Sequence, residues 1–172
     1  MTISLPMKKN LTMHYSAVIT SPIGKIGIEM NQETLAGISF LTDEVPLRTA
    51  VNPAAQKIID ELKQYFKDPK YTFSNTFRPK GSTFQQRVWQ ALQKIPRGKT
   101  LTYGELAKKI DSAPRAIGQA CRTNPFPIII PCHRIVAANH LGGYGGFASE
   151  PNSKMLTIKK WLLNHERGAE CC

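Results

Sequence analysis

Cysteine is scarce in this chain, and its copies follow neither a ligand spacing nor a disulfide spacing. The 172 residues contain four cysteines, two of them adjacent at the C-terminus, with no CxxC pair and no Cys/His cluster. This pattern excludes a disulfide framework and argues against a zinc site, so we predict no metal and no cofactor. Unpaired thiols fit a reducing compartment. The cysteines are Cys121, Cys132, Cys171 and Cys172.

Long apolar runs are also absent. No stretch approaches the ~18 consecutive apolar residues that a membrane-spanning helix requires. The two lysines near the N-terminus, Lys8 and Lys9, are not followed by the apolar run of a secretory signal. We therefore expect the cytoplasm or the nucleoid as the location, with no membrane partner.

Acidic residues are few compared with basic ones. The chain has 23 Lys+Arg against 12 Asp+Glu, a net charge of +11. Residues 1–80 contribute +3 (10 against 7) and residues 81–172 contribute +8 (13 against 5). A basic half of this kind suits a polyanionic partner, with nucleic acid as the first candidate. Charge alone leaves open the alternative, a basic surface that serves solubility.

The first half of the chain has the pattern of a small sheet followed by a helix. Strand-like segments at residues 11–20, 25–30 and 35–40 are separated by turn residues. Asn52 is placed to cap a helix that begins at Pro53, and apolar residues follow at helical spacing. Residues 69–81 are rich in proline and polar residues and are predicted to link two domains, 1–80 and 81–172.

The second half is predicted to be mainly helical, which gives the chain an α/β (α+β) fold. Ser82 with Gln85, and Thr102 with Glu105, form capping boxes at the starts of two helices. A third helix is predicted over residues 113–122 and a last one over 152–166. The two short helices on either side of Asp111 and Ser112, in the basic half, are a helix-turn-helix candidate.

Residues 129–136 (IIPCHRIV) join Cys132 and His133 within a run of apolar residues. Such a run predicts a buried strand or the floor of a pocket. A thiol there is either an inert core residue or a nucleophile that an imidazole helps to deprotonate. Adjacent strand residues point to opposite faces, so the dipeptide by itself decides nothing.

The wider segment resembles a known family. Residues 115–136 (RAIGQACRTNPFPIIIPCHRIV) are similar to the active-site region of the O6-alkylguanine-DNA alkyltransferases, and Pro-Cys-His-Arg is that family's signature. The resemblance extends to residues 84–89, 98–103, 143–146 and 161–166, and is loose over the first 80 residues. It implies repair of alkylated DNA by irreversible, single-use transfer of the alkyl group to Cys132.

The resemblance also implies roles for other residues. His133 and Glu166 would complete a relay with Cys132, in which His133 accepts the thiol proton, through a water, and Glu166 fixes the imidazole and favours its cation. Arg115 would enter the minor groove and replace the flipped nucleotide, and Tyr103 would help to rotate the base outward. Without the resemblance, Arg115 is a phosphate contact or a solvated arginine, and Tyr103 is a core residue.

The remaining implied site residues surround the acceptor. Asn124 would brace the turn that carries Cys132, and the loop with Tyr144 and Gly145 would form a pocket wall, with the Gly145 N–H as a donor to guanine O6. The carbonyl groups of Cys132 and Ile135 would accept from the exocyclic amine. Gly145 stands where family members often have a larger residue, which leaves alkyl-size preference and activity on O4-alkylthymine open.

Two other functions compete with alkyl transfer. A non-catalytic lesion-binding protein would bind the same DNA, but its relatives replace the acceptor cysteine, which Cys132 argues against. A Cys-His thiol hydrolase would turn over a soluble substrate and leaves the helix-turn-helix without a role. The partner that we expect is duplex DNA with O6-alkylguanine, bound by a monomer.

Overall fold

The computed structural model describes residues 14–74, 77–145 and 153–168. The fold is mixed α/β, as predicted, and the chain divides into two compact units, residues 1–63 and residues 64–172. This division falls inside a helix, whereas the sequence-based boundary was drawn at residue 80. The proposed linker, residues 69–81, therefore belongs to the second unit, in which Arg97 donates to the carbonyl of Pro69 at 2.7 Å.

The first unit contains a three-stranded antiparallel sheet. Ile28 of the central strand pairs with Ala17 on one side and Ile38 on the other, and all three are buried. Two of the predicted strands are confirmed, while the first begins only at Ala17; residues 11–13 lie outside the described residues. The strands, in spatial order, are β1 (Ala17–Ser21), β2 (Gly24–Asn31) and β3 (Thr34–Leu41).

Helix α1 (Pro53–Lys67) begins where the sequence predicts. The Asn52 side chain accepts from the backbone N–H of Ala55 at 2.8 Å, and the fixed φ of Pro53 suits a first helical position. The helix ends directly before Asp68 and Pro69. Its buried stripe consists of Ala55, Ile58, Ile59, Leu62 and Tyr65.

Four further α-helices are present among the described residues of the second unit. Both predicted capping boxes are present: Ser82 accepts from the Gln85 N–H at 3.2 Å, and Thr102 accepts from the Glu105 N–H at 3.1 Å. Trp89, 2 % exposed, lies in the core and donates to the Ala120 carbonyl at 2.9 Å. The helices are α2 (Thr83–Gln93), α3 (Tyr103–Lys109), α4 (Pro114–Arg122) and α5 (Lys154–Glu166).

Helices α3 and α4 form the predicted helix-turn-helix. They pack against each other and are joined by a tight turn in which Asp111 has a φ of 49°. Aspartate is among the residues that adopt this left-handed conformation at low cost. Pro114 occupies the first turn of α4, where its missing N–H breaks no helical bond.

Cys132 does not lie in a strand, and the predicted buried strand through it is wrong. Cys132–Arg134 forms a 3-10 turn, closed by the Arg134 N–H on the Pro131 carbonyl at 3.0 Å. Pro131 has no N–H for a strand ladder, and Ile128 has a φ of 76°, outside the extended region. A short strand follows the turn: β5 (Ile135–Val136) runs parallel to β4 (Leu101–Thr102).

Candidate active site

A cavity of about 560 Å³ opens beside α4 and contains the Cys132 thiol. The residues that line it come from α3, from α4, from the turn at Cys132 and from the loop at Tyr144. The structure therefore gathers five of the residues singled out in the sequence around one space. The lining consists of Tyr103, Pro114, Arg115, Gly118, Gln119, Cys121, Arg122, Cys132, Gly143, Tyr144 and Gly145.

Asn124 holds the turn that carries Cys132 and contacts the Cys132 sulfur. Its side-chain amide donates to the Ile130 carbonyl at 2.8 Å and to the Cys132 sulfur at 3.2 Å. Its oxygen accepts from the Phe126 N–H at 2.9 Å. The predicted bracing of the turn by Asn124 is thus present, together with a direct bond to sulfur that the sequence did not indicate.

The Cys132 thiol is held in its neutral form. It is 6 % exposed, and burial raises its pKa. Hydrogen bonds from Asn124 and Tyr144 and the charge of Lys159 lower the same pKa but do not outweigh burial. Because the thiolate is the nucleophile, the site must remove a proton when a substrate arrives.

Behind the thiol, His133 and Glu166 make the contact that the sequence predicts. His133 Nε2 lies 2.7 Å from Glu166 Oε1, and both side chains are fully buried. Burial raises the pKa of Glu166, but hydrogen bonds from His133 and Arg134 lower it by more than burial raises it. The carboxylate is therefore ionised and acts only as a hydrogen-bond acceptor. The ring proton is therefore on Nε2, and Nδ1 is the basic nitrogen.

Glu166 favours the His133 cation, as expected, but does not produce that cation in the resting site. Burial lowers the pKa of His133, and Glu166 raises it by less than burial lowers it. Arg134 adds a positive charge that offsets Glu166: its Nε and Nη2 donate to the two carboxylate oxygens at 2.8 Å and 2.9 Å. His133 is thus neutral at rest, and its Nδ1 has no hydrogen-bond partner among the described residues.

Two residues of this network were missed in the sequence. Arg134 directly follows His133 but was not assigned a role, and Tyr65 was counted only as part of the apolar stripe of α1. The Tyr65 hydroxyl donates to Glu166 Oε1 at 2.9 Å. A signal for Arg134 existed, since it is a charged residue inside an apolar run; nothing in the sequence pairs Tyr65 with a residue one hundred positions away.

Lys159 was also missed, although it lies on the apolar face of α5. It is fully buried, and its ammonium donates to the carbonyls of Ile135 and Leu141 at 2.6 Å and of Gly143 at 3.0 Å. Burial lowers the pKa of Lys159 to about 8. Lys159 therefore fastens the loop of the cavity wall to β5. Its spacing from Leu163 and Glu166, four and seven residues on, would have identified it as inward-facing.

The Lys159 contact bears on one predicted site residue. The Ile135 carbonyl, expected to accept from the guanine amine, already accepts from Lys159. Ile135 is fully buried and is absent from the described residues that line the cavity. The structure therefore places Ile135 behind the wall, whereas Tyr144 and Gly145 are on it.

The wall and the helix-turn-helix meet at Tyr103. Gly142 has a φ of 70°, and a Cβ there would lie 3.1 Å from Tyr103 Cε2. Burial raises the pKa of Tyr103 to about 12, with Cys121 and Cys132 adding to the effect. The Tyr103 hydroxyl is therefore a hydrogen-bond donor at neutral pH. Arg115 is exposed at the start of α4, and Gly145, also exposed, has a φ of 61°.

Other predictions from the sequence concern metals, membranes and the C-terminal residues. Within the described ranges, no three His, Cys, Asp or Glu side chains come together as metal ligands would. No helix in the same ranges has both the length and the apolar character needed to cross a bilayer. Gly146, Cys171 and Cys172 lie outside the described residues.

Comparison with known proteins identifies the family. Residues 83–168 match the family model described as 6-O-methylguanine DNA methyltransferase, DNA binding domain. The chain belongs to the methylated-DNA–protein-cysteine methyltransferase family. A methyltransferase of this name from Methanosarcina acetivorans is 39% identical over 88% of this chain and 97% of its own length. The constitutive one from Bacillus subtilis is 35% identical over 90% and 96%.

Solved structures of the family share the fold. The crystal structure of Mycobacterium tuberculosis OGT in complex with DNA has a TM-score of 0.72 and 34% identity, over 88% of this chain and 92% of that one. The O6-methylguanine methyltransferase of the same organism has a TM-score of 0.71 and 33% identity, over 90% and 93%. The family resemblance predicted from residues 115–136 is confirmed.

Proposed function

We propose that this protein repairs DNA by direct reversal, moving an alkyl group from O6 of guanine in duplex DNA onto Cys132. The observation that carries the proposal is the position of Cys132. Its sulfur faces a cavity lined by the helix-turn-helix, while the relay residue His133 lies behind it in the same turn. A thiol at the junction of a DNA-binding motif and a proton acceptor has both groups that the transfer needs.

The transfer balances within the site. The Cys132 proton moves to His133 Nδ1 through a bridging water, and the sulfur attacks the alkyl carbon. The new S–C bond forms as the C–O6 bond breaks, and the electron pair leaves with the base. His133 then returns the proton, which converts the departing anion to guanine. Because the thioether has no hydrolytic route at this site, each molecule acts once.

The substrate base must leave the duplex to reach the thiol. A buried sulfur cannot contact O6 of a stacked guanine, so the nucleotide is flipped into the cavity. The volume of about 560 Å³ lies within the range of small-molecule sites. Tyr103 donates to the charge that develops on the base, the Gly145 N–H donates to O6, and Arg115 occupies the vacated stack.

Three finer features are part of the proposal. We place α4 in the minor groove, which is about 6 Å wide and favours small residues such as Ala116 and Gly118. The acting species is a monomer, to be checked by sedimentation with and without DNA. A cytoplasmic location suits the chemistry, because reducing compartments keep an acceptor thiol free. Competition by a minor-groove ligand tests the groove assignment.

The decisive experiment uses the two cysteines of the cavity. Wild type is incubated with duplex DNA carrying O6-methylguanine, and its peptides are then weighed. We expect one methyl group on the Cys132 peptide, one repaired guanine per protein and no second turnover. Cys132→Ser should bind the DNA without accepting the methyl group, while Cys121→Ser should transfer normally.

The same measurement separates the rival functions. Binding without transfer by the wild type would make it a lesion-binding protein, and repeated turnover would make it a hydrolase. A methyl group recovered on Cys121 instead would reject Cys132 as the acceptor.

A further inference from the structure

The relay carboxylate is held by more donors than the relay alone requires. Glu166 Oε1 accepts from His133, Arg134 and Tyr65, at 2.7, 2.9 and 2.9 Å, and Oε2 accepts from Arg134 at 2.8 Å. Arg134 comes from the acceptor turn itself, as does His133. Tyr65 comes from the last turn of α1 and is the contact that ties Glu166 to a different element.

Tyr65 makes hydrogen bonds to two consecutive residues of α5. Its hydroxyl donates to Glu166, and its backbone carbonyl accepts from Nε2 of His165 at 2.6 Å. The His165 ring stacks on Trp161, with centroids 4.8 Å apart and 17° between the planes. Tyr65 itself is 1 % exposed and stacks on Phe73 at 5.3 Å. Both ends of one rigid residue thus fix the last turn of α5.

We propose that Tyr65 is a positioning residue of the alkyl-transfer site, which holds Glu166 so that His133 keeps its proton on Nε2 and offers Nδ1 to the thiol. The inference rests on the proposed function. Tyr65 is absent from the described residues that line the DNA-side cavity, so it touches neither base nor acceptor and acts through Glu166.

The hydroxyl also divides the carboxylate charge. With three donors on Oε1, Glu166 shares its charge among them and binds His133 less strongly than a free carboxylate would. Burial and Glu166 raise the pKa of Tyr65 well above its usual value, so it remains a donor. Among the described residues, Arg134 of the turn and Lys159 of α5 also face His133, and the charge of each lowers the pKa of His133.

The test is Tyr65→Phe, which removes the hydroxyl and keeps the ring. We expect the single-turnover rate constant at neutral pH to fall about tenfold, as for one hydrogen bond to a charged group. Freed of a competing donor, Glu166 attracts the His133 proton more strongly, so the acidic limb of the rate–pH profile should move to higher pH. The ¹⁵N signals of His133 should report the same shift.

Controls separate positioning from folding. Tyr15→Phe makes the same chemical change in the first unit and should leave rate and profile unaltered. Affinity of Tyr65→Phe for the DNA, measured with the Cys132→Ser background to prevent reaction, should equal that of Cys132→Ser alone. His165→Leu removes the hydrogen bond to the Tyr65 carbonyl and should move the profile in the same direction.

The outcomes distinguish this inference from the proposed function. If wild type transfers to Cys132 and Tyr65→Phe does so with an unchanged rate and profile, the positioning role is wrong and the function stands. A uniform loss of rate at every pH, together with weaker DNA binding, would make Tyr65 a packing residue only. No transfer by wild type would reject the function itself.

Discussion

At the residue scale, the chemistry of the site is controlled by burial. Cys132, His133 and Lys159 are all almost fully buried. Burial raises the pKa of Cys132 and lowers the pKa values of His133 and Lys159, which favours the neutral form of each group. The reactive thiolate is therefore not stored in the resting protein. Under the proposed function, the thiolate forms when His133 accepts the thiol proton.

Lys159 provides a pH-dependent prediction at this scale. Its pKa is about 8 in the folded protein against an ordinary value of 10.5. Between these values the unfolded chain binds more protons, so the free energy of unfolding should rise with pH across that window. Urea unfolding at several pH values should show that the stability of wild type rises relative to that of Lys159→Met across this window. Lys160→Met, an exposed neighbour, is the control; a parallel response of Lys159→Met and wild type would contradict the assignment.

At the element scale, short pieces of backbone hold the site together. Strand β4 has two residues and pairs with β5, which fixes the start of α3 relative to the turn that ends at Arg134. The cavity wall is a loop in which the carbonyls of Leu141 and Gly143 accept hydrogen bonds from Lys159. Elements this short have little stability of their own, so their positions depend on side-chain contacts.

Gly142 tests how closely the wall fits against α3. Gly142→Ala adds a Cβ at a φ of 70°, 3.1 Å from Tyr103 Cε2 and 3.2 Å from the Ala137 nitrogen. Gly168→Ala adds one at the same φ of 70°, with no atom of the described residues within 4 Å. The control should lose about 1 kcal/mol of unfolding free energy, which is the cost of a left-handed backbone at a residue with a Cβ. Gly142→Ala should lose more unfolding free energy than the control and should also slow transfer, because Tyr103 is displaced. Equal losses in the two variants would mean that the loop moves to accommodate the added Cβ.

At the scale of the whole molecule, the net positive charge comes from one of the two units. Residues 1–63 hold six basic and six acidic residues, so the entire +11 belongs to residues 64–172, with 17 basic and six acidic residues. That unit also contains the helix-turn-helix and the acceptor. The long-range attraction to DNA therefore acts on the unit that performs the chemistry.

Salt dependence of DNA binding should follow this division. Each phosphate contact that is lost should reduce the slope of log K against log salt by about 0.9. Arg122→Ala, on the cavity rim, should reduce the slope by about that amount for one contact. Lys57→Ala, an exposed residue of the uncharged unit, should leave it unchanged. A reduced slope for Lys57→Ala, measured by fluorescence anisotropy, would place DNA contacts in the first unit as well.

Local signals in the sequence determined most of the elements. The capping boxes at Ser82 and Thr102, the cap at Asn52 and the short turn at Asp111 depend on neighbours within a few residues, so the sequence was sufficient for them. Cys132 and His133 were identified through the continuous Pro-Cys-His-Arg segment, whereas Glu166, 33 residues beyond His133, was identified through the family resemblance of residues 161–166. The prediction of a strand through Cys132 was wrong because a run of apolar residues indicates only that the segment is buried. A buried segment can be a strand or a tight turn.

Only the tertiary structure decided how the relay is held and which charge it carries. Tyr65 meets Glu166 across one hundred residues of chain, and Lys159 collects three carbonyls from two segments. The pKa of His133 depends on the extent of its burial and on its distances from Glu166 and Arg134. Both are set by the packing of the folded chain. The sequence by itself determined the reacting group; the fold determined the protonation state in which that group waits.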